Sequence, residues 1–415
     1  MKAQFAIPLA IFAVWGLAGC GKAPDAAFSP NTQKLKPLIQ EARDKIAESL
    51  LVNFGTPNQL VAWEKFPIDY GKPAPQADSS DDRSEPGWRL KLGRNYYMQH
   101  CQHCHGVSGD GNGPTARFLN PLPRDYRLGK FKFKSTHGPM MPSRNDLKHI
   151  LEQGIPGTYM PSFVLLGDEK LELIVDYVRW LSIRGNMEIR MAQELATLFA
   201  TEKDVAQALL DDETKKLKRS DVIADVKKSM DTEFPGIIDN IAAELAEAWT
   251  TADLPESAVV PTRKRKLPTP KSIDNGKKLF LSQVEGKKTE CTKCHGLMGR
   301  GDGSQTEEFL VIKDSNPEQK YEVVGLHDDW GHPIRPRDLT RGIYRGGRRP
   351  IDIYRRVHEG IPGTPMSGFA SVLKPEEIWD VVNYVLSIPF DGKQSAYPTE
   401  LNEEEDKKEV VTTEN

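Results

Sequence analysis

Cysteine is scarce in this chain of 415 residues. Five occur, Cys20, Cys101, Cys104, Cys291 and Cys294, so thiol chemistry is confined to three places. An excess of charge of one sign is lacking as well. A formal net charge of −3 with 38% apolar residues is ordinary for a globular protein and implies neither a nucleic-acid partner nor a strongly charged substrate. Beyond the first 19 residues no segment is long and apolar enough to span a bilayer. The stretch 187–250 contains neither Cys nor His, which excludes it as a source of thiolate or imidazole ligands. What remains is a chain long enough for two or three domains, with four of its cysteines in two C-x-x-C pairs.

The first residues read as an export signal. Lys2 precedes an apolar or small run over 5–19, too short for a spanning helix and suited to a signal peptide. The run ends in Leu17-Ala18-Gly19-Cys20, which resembles the lipobox of bacterial lipoproteins. That resemblance implies acylation at Cys20 and a lipid anchor, held by several acyl chains at ~0.8 kcal/mol per buried CH₂. An ordinary signal peptide with a chance cysteine is the alternative.

Residues 20–87 divide into a tether, a helical segment with Leu35, Leu38, Ile39, Ala42, Ile46, Leu50 and Leu51 on one face, and a linker rich in Pro, Asp and Ser. Two units follow, 88–186 and 272–392, related by an internal repeat. Cys101-Gln-His-Cys-His105 matches Cys291-Thr-Lys-Cys-His295, and Gly109-Asp-Gly111 matches Gly301-Asp-Gly303. Pro123-Arg124-Asp125 matches Pro336-Arg337-Asp338, and Gly154-Ile-Pro-Gly-Thr-Tyr-Met160 matches Gly360-Ile-Pro-Gly-Thr-Pro-Met366. The offset drifts from 190 to 213 and back to 206, which places an insertion within roughly 304–335 of the second unit. Between the units, 187–271 is expected to be a helical spacer or docking module followed by a basic, Pro-bearing linker. The tail 393–415 is acidic and expected to be disordered.

C-x-x-C-H is the attachment sequence of c-type haem. Both sulfurs add to porphyrin vinyl groups from one short turn, and the following histidine projects beneath the iron. A zinc site made from both pairs would leave His105 and His295 unexplained across 186 intervening residues. Two disulfides would leave the repeated methionine motif unexplained. The expectation is therefore two covalently bound haem c groups, on Cys101 and Cys104 and on Cys291 and Cys294, with His105 and His295 on iron.

Met160 and Met366 lie in irregular Gly-Pro loops, 55 and 71 residues after those histidines. Ordinarily a methionine fills core space, but repetition in such a loop favours ligation of iron, which raises its reduction potential. His137, Met140 and Met141 compete in the first unit and have no counterparts in the second. Gly93 and Tyr97 precede the first attachment sequence at helical spacing, as Gly276 and Phe280 precede the second. Helices at 171–181 and 378–388 carry Tyr177 and Tyr384 to meet them, glycine against aromatic permitting a close crossing.

On these motifs both units resemble class I cytochrome c domains, over about half the chain. The resemblance implies an all-α fold, small haem domains with one exposed haem edge, and Arg124 and Arg337 as partners of haem propionates; surface salt bridges are their alternative fate. Two irons sealed by protein ligands imply electron transfer between redox protein partners. The chain is then a membrane-anchored carrier on the periplasmic side of a bacterial membrane, or a subunit serving a terminal oxidase or quinol-oxidising complex. The contrasting expectation is a di-haem peroxidase, in which one iron loses its sixth ligand.

Overall fold

The computed structural model describes residues 26–73, 82–213, 216–312, 315 and 317–391. The export segment, Cys20, part of the linker and the acidic tail lie outside the described residues. Among those described, the fold is all-α, with twelve α-helices and one two-stranded ladder, β1 (Leu326–His327) and β2 (Pro333–Ile334). No described helix is long and apolar enough to cross a membrane.

The helices in chain order are α1 (Thr32–Leu35), α2 (Gln40–Phe54), α3 (Trp88–His100), α4 (Gln102–His105), α5 (Arg144–Gln153) and α6 (Asp168–Thr197). They continue with α7 (Glu202–Asp211), α8 (Arg219–Ala252), α9 (Pro270–Phe280), α10 (Cys291–His295), α11 (Pro350–Glu359) and α12 (Pro375–Ser387). Their starts are locally encoded. Thr269 caps α9 by accepting from Ser272 N with Pro270 at the first position, and Ser143 with Asp146 forms a capping box at α5.

The repeat is built twice on one plan. α3 crosses α6 in the first unit and α9 crosses α12 in the second. The crossings are closer than side chains allow. A Cβ on Gly93 would lie 2.2 Å from the Leu173 carbonyl oxygen, and one on Gly276 would lie 2.0 Å from that of Asp380. The aromatics one turn on then meet edge to face or tilted, Tyr97 against Tyr177 at 5.1 Å and Phe280 against Tyr384 at 5.4 Å.

Two features differ from the sequence reading. α6 does not stop near 181 but runs on to Thr197, because Ile183, Met187, Met191 and Leu195 continue its buried face. In turn, 187–252 is no free spacer. One apolar core joins Ile46 and Phe54 of α2, Tyr97, Trp180, Phe234, Leu245 and Trp249, so α2 and α8 form a jacket around the first unit. Most of the predicted α2 face is buried, but Leu51 is 55% exposed, since it stands one step around the helix from Leu50. A separate core from Val259 to Ile388 holds the second unit.

Gly276→Ala should force α9 from α12 and cost roughly 1–3 kcal/mol, as overpacking does. Gly236→Ala on α8, where a Cβ would meet nothing within 4 Å, is the matched control and should be neutral or stabilising by up to ~1 kcal/mol. Thermal melts of both variants check this; equal melting of Gly276→Ala and wild type would contradict the close crossing.

Candidate haem sites

Each attachment turn is held by the glycine loop after it. Gly111 N donates to His105 O at 3.0 Å and Gly113 N to Cys104 O at 3.1 Å; Gly301 N and Gly303 N do the same to His295 and Cys294 at 2.9 and 3.2 Å. Gly111 and Gly301 each have φ of +75° and abut the carbonyl of Pro123 or Pro336 at 2.6 or 2.5 Å from a notional Cβ. Only glycine fits there.

The Pro-Arg-Asp repeat then reaches the histidine. The carbonyl of Arg124 stands 3.3 Å from His105 Nδ1. A carbonyl accepts only from a protonated nitrogen, so the proton sits on Nδ1 and Nε2 is left with its lone pair. Burial holds the His105 imidazole down to about 4, keeping it neutral. His295 is lowered too, first by burial, with the Arg337 carbonyl opposing. Its Nδ1 is buried and meets no partner in good hydrogen-bond geometry, so the Arg337 carbonyl beside it is less well aligned than that of Arg124 in the first unit.

The methionine loops correspond bond for bond. Ile155 N donates to Met160 O at 3.0 Å, and Ile361 N to Met366 O at 2.9 Å. The hydroxyl of Thr158 donates to Ile155 O and accepts from Met160 N (2.8 and 3.1 Å), as that of Thr364 does with Ile361 O and Met366 N (2.7 and 3.3 Å). Phe163 N and Phe369 N tie the loops to Leu151 O of α5 and Val357 O of α11.

In the first unit these parts close on a cavity of about 400 Å³, lined by Cys101, Cys104, His105 and Met160 with apolar walls that include Leu151 and Val175. Cys101 and Cys104 are free thiols, as are Cys291 and Cys294. Burial pushes the Cys101 thiol up to about 12 and the Cys291 thiol up to about 11. Two thiols, an imidazole lone pair and a thioether around an apolar slot fit a covalently attached haem. Cys20 lies outside the described residues.

One lining residue comes from the other unit. Arg345 of the second unit reaches the first unit's cavity, with its Nε buried and unpartnered. Burial and the nearby Arg337 charge both lower its affinity for a proton. Arg337 itself packs on Gly157 of the Met160 loop, and Arg124 of the first unit packs on Gly363 of the Met366 loop. The insertion supplies Trp330, whose ring lies 3.9 Å from the Arg124 guanidinium and whose Nε1 is buried without a partner. Asp328 is the nearby anion, 3.9 Å from Arg124. This face carries more cations and buried donors than the protein's own acceptors satisfy, which is what haem propionates would meet. Sequence reasoning singled out Arg124 and Arg337 by their repetition; Arg345 and Trp330 carry no repeat and were missed.

The cytochrome c family model matches residues 90–182 and 273–389, and the chain belongs to the cytochrome c family. It is a haem electron-transfer protein with covalently bound haem c. Among solved structures, a chain of the Kuenenia stuttgartiensis reducing HAO-like protein complex is similar at 27% identity, over 72% of this chain and 96% of that one, with a TM-score of 0.47. No curated protein matches the chain.

Arg345→Gln should lower the midpoint potential of one haem alone, because a nearby cation favours the reduced, less positive iron. A charge ~10 Å away at an effective dielectric of ~20 contributes roughly 1–2 kcal/mol, or some tens of millivolts for one electron. Spectroelectrochemical titration reads it; unchanged potentials would place Arg345 away from haem.

Proposed function

We infer that the chain binds two haems, the first on Cys101 and Cys104 between His105 and Met160, the second on Cys291 and Cys294 between His295 and Met366. It passes electrons from one to the other. The observation that carries this reading is the matched pair of methionine loops, each touched by an arginine of the opposite unit. Bound haem supplies reversible one-electron exchange at iron. The chain's own residues would do the rest: His105 with Met160, and His295 with Met366, would hold the irons, the apolar walls would exclude water, and Arg124, Arg337 and Arg345 would neutralise propionates between the units.

Cys20 anchors the protein by lipid to the periplasmic side of a bacterial membrane. Phe28 is buried in the first unit's core and Ser29 N donates to Ser108 Oγ at 2.6 Å, so the chain enters that unit only a few residues after Cys20. Partners are redox proteins of a respiratory chain, a terminal oxidase or a quinol-oxidising complex among them.

The pyridine haemochrome of the purified protein should report two covalent haems per chain. Reduced wild type should bind carbon monoxide poorly, while Met160→Ala and Met366→Ala should each open one iron to it. One haem per chain, or a wild-type haem that binds carbon monoxide or turns over peroxide, would overturn the carrier reading in favour of a di-haem enzyme. Separately, Cys20→Ala should release haem-loaded protein into the soluble periplasmic fraction or block its processing; unchanged membrane retention with normal processing would contradict the anchor.

A further inference from the structure

A second cluster of ligating side chains spans the two units away from the haem cavity. His137 comes from the loop before α5, and His358 and Glu359 end α11. His137 Nδ1 lies 3.0 Å and His358 Nδ1 2.7 Å from the same oxygen, Glu359 Oε1. The other carboxylate oxygen accepts from Gly138 N at 2.6 Å. One donor atom from each of the three residues lies within 4.8 Å of the other two.

Two imidazole nitrogens aimed at one carboxylate oxygen repel it unless positive charge lies between. Either each ring carries a proton there, or one cation replaces both. Two imidazoles with a carboxylate are a donor set of zinc and its neighbours in the first transition row. Bonds of ~2.0–2.2 Å set tetrahedral ligands about 3.3 Å apart, close to the 3.0 and 2.7 Å already separating the two imidazole nitrogens from Glu359 Oε1.

Both sides of the cluster are already fixed. Lys134 Nζ donates to the carbonyls of Thr136, His137 and Gly138 at 3.1, 3.2 and 2.7 Å, which holds the loop. His137 N donates to Ser257 O at 3.0 Å. On the other side the His358 ring stacks on Tyr354 with centroids 5.6 Å apart. The carbonyl end of the ten-residue α11 favours a cation. His137 is half-exposed, so the cluster is reached from solvent.

We propose that His137, His358 and Glu359 bind a divalent first-row transition ion, zinc or one of like chemistry, which clamps the first unit's loop to α11 of the second. Glu359 precedes Gly360, where the Met366 loop begins, so the ion ties the domain contact to the scaffold of the second site.

The haem-loaded protein, freed of adventitious metal with a chelator, is titrated with zinc chloride in a calorimeter. The expected result is one zinc per chain at low-micromolar affinity or tighter, weakened at least about tenfold by His137→Ala and again by His358→Ala. With cupric ion as probe, electron spin-echo modulation should report two imidazoles in wild type and one in His137→Ala. Because His137 is half-exposed, that variant answers even if His358→Ala disturbs folding. No stoichiometric zinc uptake, or undiminished uptake by the double variant His137→Ala/His358→Ala, would overturn the proposal.

Discussion

Positive charge gathered from both units beside an apolar cavity is the constraint that orders this molecule. A guanidinium taken from water costs several kcal/mol unless an anion meets it. Here Arg124, Arg337 and Arg345 converge where the protein itself offers Asp328 at 3.9 Å. Haem propionates are the anions that such a face would meet. Docking of the two units and loading of their cofactors are then one problem: the groups that need neutralising belong to one unit while the pocket they face belongs to the other.

The same economy explains the Pro-Arg-Asp repeat. In the first unit the backbone carbonyl of Arg124 fixes the tautomer of His105 while its side chain crosses to Gly363. Asp125 sets the turn by pairing with Arg127, and Asp338 sets its own by accepting from Thr340 N. One tripeptide therefore orients His105 and joins the domains. The insertion in the second unit has a matching purpose. It places Trp330 on Arg124 and pairs Asp329 with Lys130, lending the second unit a hold on the first.

What was legible in the sequence was what is encoded locally. C-x-x-C-H and the Gly-Ile-Pro-Gly-Thr loops each lie within a few residues, and repetition doubled the signal. The crossings at Gly93 and Gly276, whose partners are 80 and 104 residues away, were legible only because the same glycine and aromatic spacing occurs in both units. Side chains whose purpose depends on distant partners were not legible. Arg345 is one arginine among many in a basic stretch, and only the contact of its loop with the first unit, where Gly346 abuts Phe133, brings it to the cavity. Likewise 187–252 read as a spacer or docking module, because helical periodicity says that a face is apolar but not what covers it. Its face is covered by α6 and α2, which makes the first unit far more enclosed than the second.

If the two haems face each other across the arginine-lined contact, their Soret transitions are coupled. Soret circular dichroism of the oxidised protein should then be bisignate, whereas variants lacking one attachment pair (Cys101→Ala/Cys104→Ala, or Cys291→Ala/Cys294→Ala) should each give a simpler band. The account predicts a wild-type spectrum that differs from the sum of the two single-haem spectra. A spectrum equal to that sum would contradict it.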